Sequence, residues 1–315
     1  MSEFIYNVAE FLYIKTESLC EYLYLDCIYI KWIAWLYYPI VLSFILPAVL
    51  LLLIYASAIF LHIYKYRHKL KDAYAKDFWD GARKTLAALW DAQGWIWHGY
   101  EIHGFENIPD EGPALIIYYH GALPVDYYYV LAKCILYKHR KIRAVGDRFL
   151  WKIPGFKLLL EVFHVSEGSI QNSVELMKQG NLMAIAPGGV REAFFSDENY
   201  GLLWGKRVGF AKIAMEAKVP VIPMFTQNCR EAFRSLGLFK GWLRKLYEKT
   251  RLPLVPLYGG FPVKLKTFIG KPIHHEANTT PEQFAQKIQI AVQDLIKTHQ
   301  LIPGNILRAM YERFS

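Results

Sequence analysis

The sequence predicts an α/β fold, in which a mostly parallel β-sheet is flanked by helices, with an N-terminal transmembrane helical anchor or hairpin. From Tyr100 to about Ile273, short apolar runs alternate with helical stretches, a pattern typical of strands joined by crossover helices. An apolar fraction of 54% excludes a disordered chain. One long uncharged segment lies close to the N-terminus, and a segment of that kind is typical of a membrane-embedded helix.

The membrane segment is the run from Trp32 to Tyr64, which has no Asp, Glu, Lys or Arg. About 20 apolar residues are enough to cross a bilayer as a helix. A cleaved signal peptide is disfavoured, because the run is much longer than an h-region of about 7–15 residues and lacks a basic region before it. Pro39 and Pro47 leave two arrangements open, a single tilted span or a short re-entrant hairpin.

The distribution of charge predicts how the chain is oriented. Lys65, Arg67, Lys69 and Lys71 follow the apolar run directly, and basic residues beside a span remain on the cytosolic side. We therefore divide the chain into an anchor segment, residues 1–71, and a cytosolic domain, residues 72–315. The formal net charge of +9 suits anionic lipid or a phosphorylated substrate. Nucleic acid is disfavoured as a partner, because no zinc-finger or RNA-recognition signature accompanies the basic residues.

The elements of the domain follow from apolar periodicity. We expect an amphipathic helix between Phe78 and Trp90, and a last helix that begins after an N-cap at Thr279 or Thr280. The predicted strands are Glu101–His103, Ala114–Tyr119, Arg143–Val145, Leu182–Ala186 and Val219–Phe225. The other predicted helices are Pro124–Tyr137, Gly155–Phe163, Gln171–Gln179, Gly205–Ala217 and Pro281–Gln300.

The most informative stretch is ALIIYYHGALPVDYYYVLAK. His120 follows a buried strand, and Asp126 lies in the first turn of the next helix if Pro124 begins it. In open α/β sheets, ligands bind at the carboxyl ends of the strands. We expect Asp126 to hold one imidazole nitrogen of His120 as N–H while the other accepts a proton from a hydroxyl. A packed or surface histidine is the alternative.

A second stretch, NLMAIAPGGVREAFF, also follows a strand. Gly188 and Gly189 allow a sharp turn whose backbone N–H groups point at a negative oxygen. Arg191 adds a cation suited to a carboxylate or phosphate, and Glu192 is expected to orient that arginine or to bind a substrate hydroxyl. The alternative is a tight turn with an exposed ion pair. Arg148, in a loop after another strand, is a further candidate for substrate contact.

The motifs that the sequence lacks restrict the chemistry further. It has no GxSxG elbow, no GxxxxGK[ST] loop and no GxGxxG after a strand. Its four cysteines form no CxxC pair, so we expect neither a metal site nor a disulfide scaffold. A histidine base beside a glycine-rich turn, in a chain with a membrane anchor, fits transfer of an acyl group to a lipid hydroxyl.

Four blocks in this order resemble the glycerolipid (phospholipid/glycerol) acyltransferase superfamily: GYEIHGFENIPDEGPALIIYYH, the histidine and aspartate pair, APGGVREA and VPVIPMF. More closely, IFLHIYK, WDGARKT, IPMFTQN and YGGFPVKL resemble the transmembrane protein 68 family, which is similar to diacylglycerol acyltransferases. The resemblance implies that residues 72–315 form an acyltransferase domain with the glycerol-phosphate acyltransferase-like fold. It also implies that His120 is the catalytic histidine and Asp126 its partner.

Two departures from the superfamily bear on the substrate. Five residues separate His120 from Asp126 where the superfamily has four, so the pair meets only if residues 121–123 form a loop. APGGVRE replaces the PEGTR of phospholipid-making members, which favours an uncharged acceptor.

The resemblance therefore implies triacylglycerol synthesis from mono- or diacylglycerol in the endoplasmic reticulum membrane. Acyl-coenzyme A is the expected co-substrate, a phospholipid donor remains open, and no cofactor is expected. The alternatives are a lysophospholipid acyltransferase, with a lysophosphatidate-type acceptor, and a non-catalytic lipid-binding scaffold.

Overall fold

The computed structural model describes residues 27–67, 79–237 and 240–315. The end of the expected anchor segment at residue 71, together with Lys69 and Lys71 of the basic cluster, lies outside the described residues. Within them the helices are α1 (Cys27–Arg67), α2 (Asp80–His98), α3 (Val125–Tyr137), α4 (Phe156–Val162), α5 (Ile170–Lys178), α6 (Gly189–Phe195), α7 (Gly209–Ala217), α8 (Cys229–Ala232), α9 (Lys240–Thr250), α10 (Pro281–His299) and α11 (Ile306–Phe314).

The strands form one large sheet and a separate two-stranded sheet. They are β1 (Glu101–His103), β2 (Ala114–Tyr118), β3 (Ile142–Gly146), β4 (Val165–Glu167), β5 (Leu182–Ile185), β6 (Val221–Gln227), β7 (Phe233–Ser235), β8 (Leu257–Gly259) and β9 (Lys266–Ile269). The large sheet has the order β1-β9-β6-β2-β5-β3-β4, and β7 pairs with β8.

Most of the large sheet is parallel, as the alternation of strands and helices predicts. β2 lies between β5 and β6 and is parallel to both, and β3 is parallel to β4 and β5. β9 is antiparallel to β6, and β1 is parallel to β9. The carboxyl ends of β2, β5 and β6 therefore lie side by side at the centre of one edge.

The two faces of the sheet carry separate hydrophobic cores. Because side chains alternate along a strand, Ile116 and Tyr118 of β2 pack towards α1, α2 and α3, whereas Leu115 and Ile117 pack towards α5, α7 and α10. β2 is buried along its whole length, as expected of a central strand with helices on both faces. The α/β fold class is confirmed.

The N-terminal apolar segment is one helix rather than a hairpin. α1 runs continuously through Pro39 and Pro47, and within the described residues the stretch Pro39–Tyr64 is long and apolar enough to cross a membrane. One face of this helix also packs on the domain. Leu50, Ile54 and Leu61 are buried in the cores, where their side chains make close van der Waals contact with the domain.

Polar and aromatic contacts also join α1 to the domain. The Tyr55 hydroxyl donates to the Pro154 carbonyl at 3.0 Å, and the Phe44 ring lies 6.2 Å from the Tyr258 ring, centroid to centroid. The contacts extend from residue 44 to residue 61, which covers most of the apolar run. The anchor is therefore part of the packed structure of the domain.

Candidate active site

The candidate site is built where three neighbouring strands end. His120 follows β2, the turn Pro187–Gly189 follows β5, and residues 228–230 follow β6. These segments are far apart in sequence, but the order β6-β2-β5 brings them together. The predicted strand at 114–119 and the predicted helix at 124–137 are present with ends shifted by one residue, so Gly121–Pro124 form the loop that the histidine and aspartate pair requires.

The His120 ring is held in one orientation by the loop that follows it. Its Nδ1 lies 2.6 Å from the Gly121 carbonyl oxygen. Because a carbonyl oxygen only accepts hydrogen bonds, Nδ1 carries the proton and Nε2 presents a lone pair. The ring also stacks on Tyr118, with centroids 6.2 Å apart. Burial lowers the pKa of His120, against an opposing effect of the Gly121 hydrogen bond, so the imidazole is neutral at physiological pH and its Nε2 keeps a lone pair.

Asp126 lies in the first turn of α3, as predicted, but it does not bond to the imidazole. The carboxyl group is buried, and its Oδ1 has no hydrogen-bond partner among the described residues. Burial raises its pKa to about 6. The structure therefore differs from the expected contact, because the Gly121 carbonyl engages the nitrogen that Asp126 was expected to hold. Participation of Asp126 in the reaction stays a prediction.

A chain of hydroxyl groups from Tyr100, Thr267 and Thr226 reaches Asp126. Tyr100 donates to the Thr267 Oγ1 at 2.8 Å, and the two threonine oxygens of Thr226 and Thr267 lie 2.8 Å apart. Thr226 also hydrogen bonds to Asp126 and lowers the pKa of its carboxyl group. Each hydroxyl has one proton, so Thr267 donates to Thr226 and Thr226 donates to Asp126. The chain favours the ionised form of Asp126.

Replacement of Thr226 with valine tests this chain. Loss of the hydrogen bond should raise the pKa of Asp126 further above its usual range, because the ionised form loses a donor. If the reaction needs ionised Asp126, the acidic limb of the pH–rate profile moves to higher pH. A shift of one pH unit would lower activity below pH 6 about tenfold and leave activity above pH 8 nearly unchanged.

The measurement is a pH–rate profile of Thr226→Val beside wild type and Thr85→Val, which changes an exposed threonine. A uniform loss of activity at every pH would contradict a role for the chain in the ionisation of Asp126.

Glu192 has a different position from the one predicted. It is fully buried on α6, and it does not pair with Arg191. Its Oε2 accepts the backbone N–H of His120 at 2.9 Å, and its Oε1 accepts the backbone N–H of Leu203 at 3.0 Å. Burial raises the pKa of Glu192 to about 7, while these two hydrogen bonds lower it. The carboxyl group therefore fixes the backbone of His120, and both of its oxygens are already engaged.

Gly188 and Gly189 are each required to be glycine, for different structural reasons. A Cβ on Gly188 would lie 2.3 Å from the Cβ of Glu192, so only glycine lets the Glu192 side chain fold back over the turn. Gly189 has a φ of +51°, which favours glycine. Its N–H donates to the Ala186 carbonyl at 3.1 Å, so in this structure that group is not free to bind the expected oxyanion. Arg207 donates to the Pro187 and Gly188 carbonyls.

The remaining predicted substrate contacts are engaged with protein groups. Arg191 lies 3.7 Å from the Glu248 carboxylate, and its Nε has no hydrogen-bond partner among the described residues. Arg148 is exposed and pairs with Glu167 at 3.2 Å. Neither guanidinium bonds to His120 or Asp126 within the described residues, so the structure does not bring these two arginines into one cluster with the pair.

Sequence reasoning missed Arg230, which is almost completely buried just after β6. Its guanidinium donates to the Tyr119 hydroxyl and to the backbone carbonyls of Glu192, Ala193 and Ser196, at 2.9–3.2 Å. A cation at the carboxyl end of a helix is favourable, so Arg230 fixes α6 and, through it, Glu192. The signal available in the sequence was the charged pair Arg230–Glu231 directly after an apolar strand.

Within the described ranges, no group of three or more His, Cys, Asp or Glu side chains could hold a metal ion. Cys134 and Cys229 are free and buried.

Comparison with known proteins places this site in a family. A family model described as "Acyltransferase" matches residues 99–227, a range that includes His120, Asp126 and Glu192. A cattle protein is 55% identical over 284 residues, covering 90% of this chain and 84% of its own length. A mouse protein is 53% identical, covering 98% of this chain and 92% of its own. Both are named "DGAT1/2-independent enzyme synthesizing storage lipids".

The chain belongs to the transmembrane protein 68 family of acyltransferases. A human member of the family is 55% identical, covering 90% of this chain and 87% of its own length. Among solved structures, the 1-acyl-sn-glycerophosphate acyltransferase PlsC from Thermotoga maritima is 16% identical, with a TM-score of 0.47, and the match covers 76% of this chain and 96% of that one. Membership of the transmembrane protein 68 family establishes acyl transfer as the reaction class.

Proposed function

We propose that this acyltransferase transfers a fatty acyl group to mono- or diacylglycerol, with His120 as the general base. Transfer to diacylglycerol forms triacylglycerol, and transfer to monoacylglycerol forms the diacylglycerol that a second transfer completes. The observation that carries the proposal is the fixed tautomer of His120, whose Nε2 lone pair is available at the carboxyl edge of the sheet. The relatives named as storage-lipid enzymes support the same class of product.

The proposed reaction needs one proton carrier. His120 Nε2 takes the proton from the acceptor hydroxyl, and the oxygen attacks the carbonyl carbon of the acyl donor. This attack forms the new C–O bond of the tetrahedral intermediate. When the intermediate collapses, the carbonyl re-forms, the bond from the acyl carbon to the leaving group breaks, and the imidazolium returns its proton to the leaving group. With acyl-coenzyme A as donor, the leaving group is a thiolate. No covalent enzyme intermediate is required.

An apolar cavity beside the site supports a lipid substrate. It lies between α1, α2, α3 and α4, and its lining includes Ile54, Trp90, Tyr127, Leu131, Leu159 and Phe163. The Tyr127 ring stacks on Tyr118, which in turn stacks on His120. The stacked rings of Tyr127 and Tyr118 therefore lie between this cavity, of which α1 forms one wall, and the proposed base.

The engagement of three arginines with protein groups supports an uncharged acceptor. Arg191, Arg148 and Arg207 are held by Glu248, by Glu167 and by backbone carbonyls, respectively. A phosphorylated acceptor would have to compete with these partners for a guanidinium. We place the reaction at the endoplasmic reticulum membrane, with the domain on the cytosolic side, on the strength of the apolar helix and the family resemblance.

A panel of acceptors tests the proposal. Purified full-length protein in vesicles is given monoacylglycerol, diacylglycerol or lysophosphatidate, each with acyl-coenzyme A or phosphatidylcholine as donor, and the lipid products are analysed. We expect a neutral acceptor to be preferred by about tenfold or more, equivalent to about 1.4 kcal/mol in transition-state stabilisation. His120→Ala protein provides the background. Preference for lysophosphatidate would contradict the proposed acceptor, and absence of any acyl product would contradict the catalytic function.

A further inference from the structure

The C-terminal helix α11 exposes a continuous apolar stripe. Leu307, Tyr311 and Phe314 are 77%, 74% and 74% exposed. They are four and seven residues apart, so at about 100° per residue they lie within roughly 60° on one side of the helix. Contiguous exposed apolar patches of this kind are uncommon on monomeric soluble proteins and mark contact sites for a membrane or a partner.

The stripe cannot turn inward, because the other side of α11 is fixed to the domain. Ala309 is completely buried in the core that also contains α1, and its carbonyl accepts the backbone N–H of Lys264 at 3.0 Å. Asn305 caps the first turn by accepting the N–H of Arg308. The three apolar side chains therefore point outward in the folded protein.

The exposed apolar surface continues from α11 towards α1. The Arg313 guanidinium donates to the Ile96 carbonyl at 3.1 Å, next to the exposed Trp95 and Ile96 side chains at the end of α2. Trp97 donates from its indole nitrogen to the Gly260 carbonyl at 2.8 Å. Gly260 in turn packs so closely on α1 that a Cβ there would lie 2.4 Å from the Leu46 Cβ.

The outward side of α1 completes this surface. Among its large apolar residues, Leu42, Ile45, Val49, Leu52, Ile59 and Ile63 are exposed. This is the segment that is long and apolar enough for a membrane, and the contacts through Ile96, Trp97 and Gly260 link α11 to it.

We propose that the stripe of α11, together with Trp95 and Ile96, is a second membrane contact that rests on the bilayer surface beside α1. Tyrosine and tryptophan side chains favour the membrane–water interface. Arg308 and Arg313 donate to backbone carbonyls but keep their positive charge, which attracts anionic headgroups at the bilayer surface without a direct contact. The inference rests on the membrane attachment in the proposed function but not on the identity of the acceptor.

Fluorescent labels placed along the stripe test this contact. Cys20 and Cys27 are changed to serine, and a single cysteine is introduced as Leu307→Cys or Tyr311→Cys in the full-length protein, since Cys134 and Cys229 are buried. An environment-sensitive dye is attached, and the protein is reconstituted in vesicles of phosphatidylcholine with or without phosphatidylserine. Ile290→Cys is the matched control, because Ile290 is an exposed apolar residue on α10, on the opposite face of the sheet.

We expect the labels at 307 and 311 to shift to shorter emission wavelength and to be quenched by lipids brominated close to the headgroup, and the label at 290 to show neither effect. Labels at 307 and 311 that behave like the label at 290 would overturn the proposal. A wavelength shift without quenching by brominated lipid would also overturn it, because the stripe would then be covered by a second copy or another protein surface.

A second measurement separates membrane contact from catalysis. The variant Leu307→Ser, Tyr311→Ser, Phe314→Ser should acylate substrates in detergent micelles at the wild-type rate and acylate substrates in vesicles several-fold more slowly. Equal rates in vesicles would contradict a functional contact, and loss of activity in both media would show a structural role instead.

Discussion

Acyl transfer should fall by about 10²–10⁴-fold when His120 is replaced with alanine, the range that a positioned general base contributes. The side chain makes one short hydrogen bond, to the Gly121 carbonyl, and stacks on Tyr118. The hydrogen bond from residue 120 to the Glu192 carboxylate uses the backbone N–H, which alanine retains. The variant should therefore keep its fold and its membrane attachment.

The measurement is product formation by purified His120→Ala protein in vesicles, together with flotation of the vesicles and a thermal unfolding curve. His274→Ala removes an exposed histidine and is the control. Undiminished turnover by His120→Ala would refute the general-base assignment. In wild type, activity should fall as the pH drops through the lowered pKa of His120, because the imidazolium has no lone pair to accept a proton.

Replacement of Glu192 with glutamine should have the second largest effect. The carboxyl group accepts two backbone N–H groups, from His120 and Leu203, and an amide offers one oxygen and one NH₂ group in their place. One N–H would lose its acceptor in a buried site, at a cost of about 1–3 kcal/mol. Because His120 is one of the two, we expect activity to fall about 10- to 100-fold, the factor equivalent to 1.4–2.7 kcal/mol.

The readouts are kcat, KM and the unfolding midpoint. Glu216→Gln makes the same chemical change at an exposed position on α7 and should be neutral. A positioning role predicts a loss mainly in kcat at a temperature where the variant is fully folded. A change in KM alone would instead place Glu192 in contact with substrate, and unchanged kinetics would show that it has no positioning role.

The pattern of apolar residues predicted most of the sheet and its helices. The strand at Ala114–Tyr118 and the helix at Pro281–His299, capped by Thr280, match the predicted elements within one residue at each end, because both have strong periodicity and clear boundary signals. The helix α6 was not predicted. Two glycines and a proline indicate a turn locally, and the helix is held by Arg230, which is about 40 residues away in the chain.

The same distinction between local and distant contacts applies to the site. The position of His120 after a strand is a local property, so the sequence was sufficient to predict it. The partner of Glu192 was not predictable, since the His120 N–H lies 72 residues earlier in the chain and a buried carboxylate leaves no periodic signal. The short contact between Nδ1 and the Gly121 carbonyl depends on how the loop closes, which the spacing of His120 and Asp126 alone does not determine.

The packing of α1 on the domain makes this apolar helix an integral part of the folded enzyme. Without it, Ile54 would be missing from the cavity lining, and the apolar surfaces that cover Leu50 and Leu61 would face water. Removal of α1 to obtain a soluble protein would therefore also remove one wall of this cavity and uncover apolar residues of the domain core.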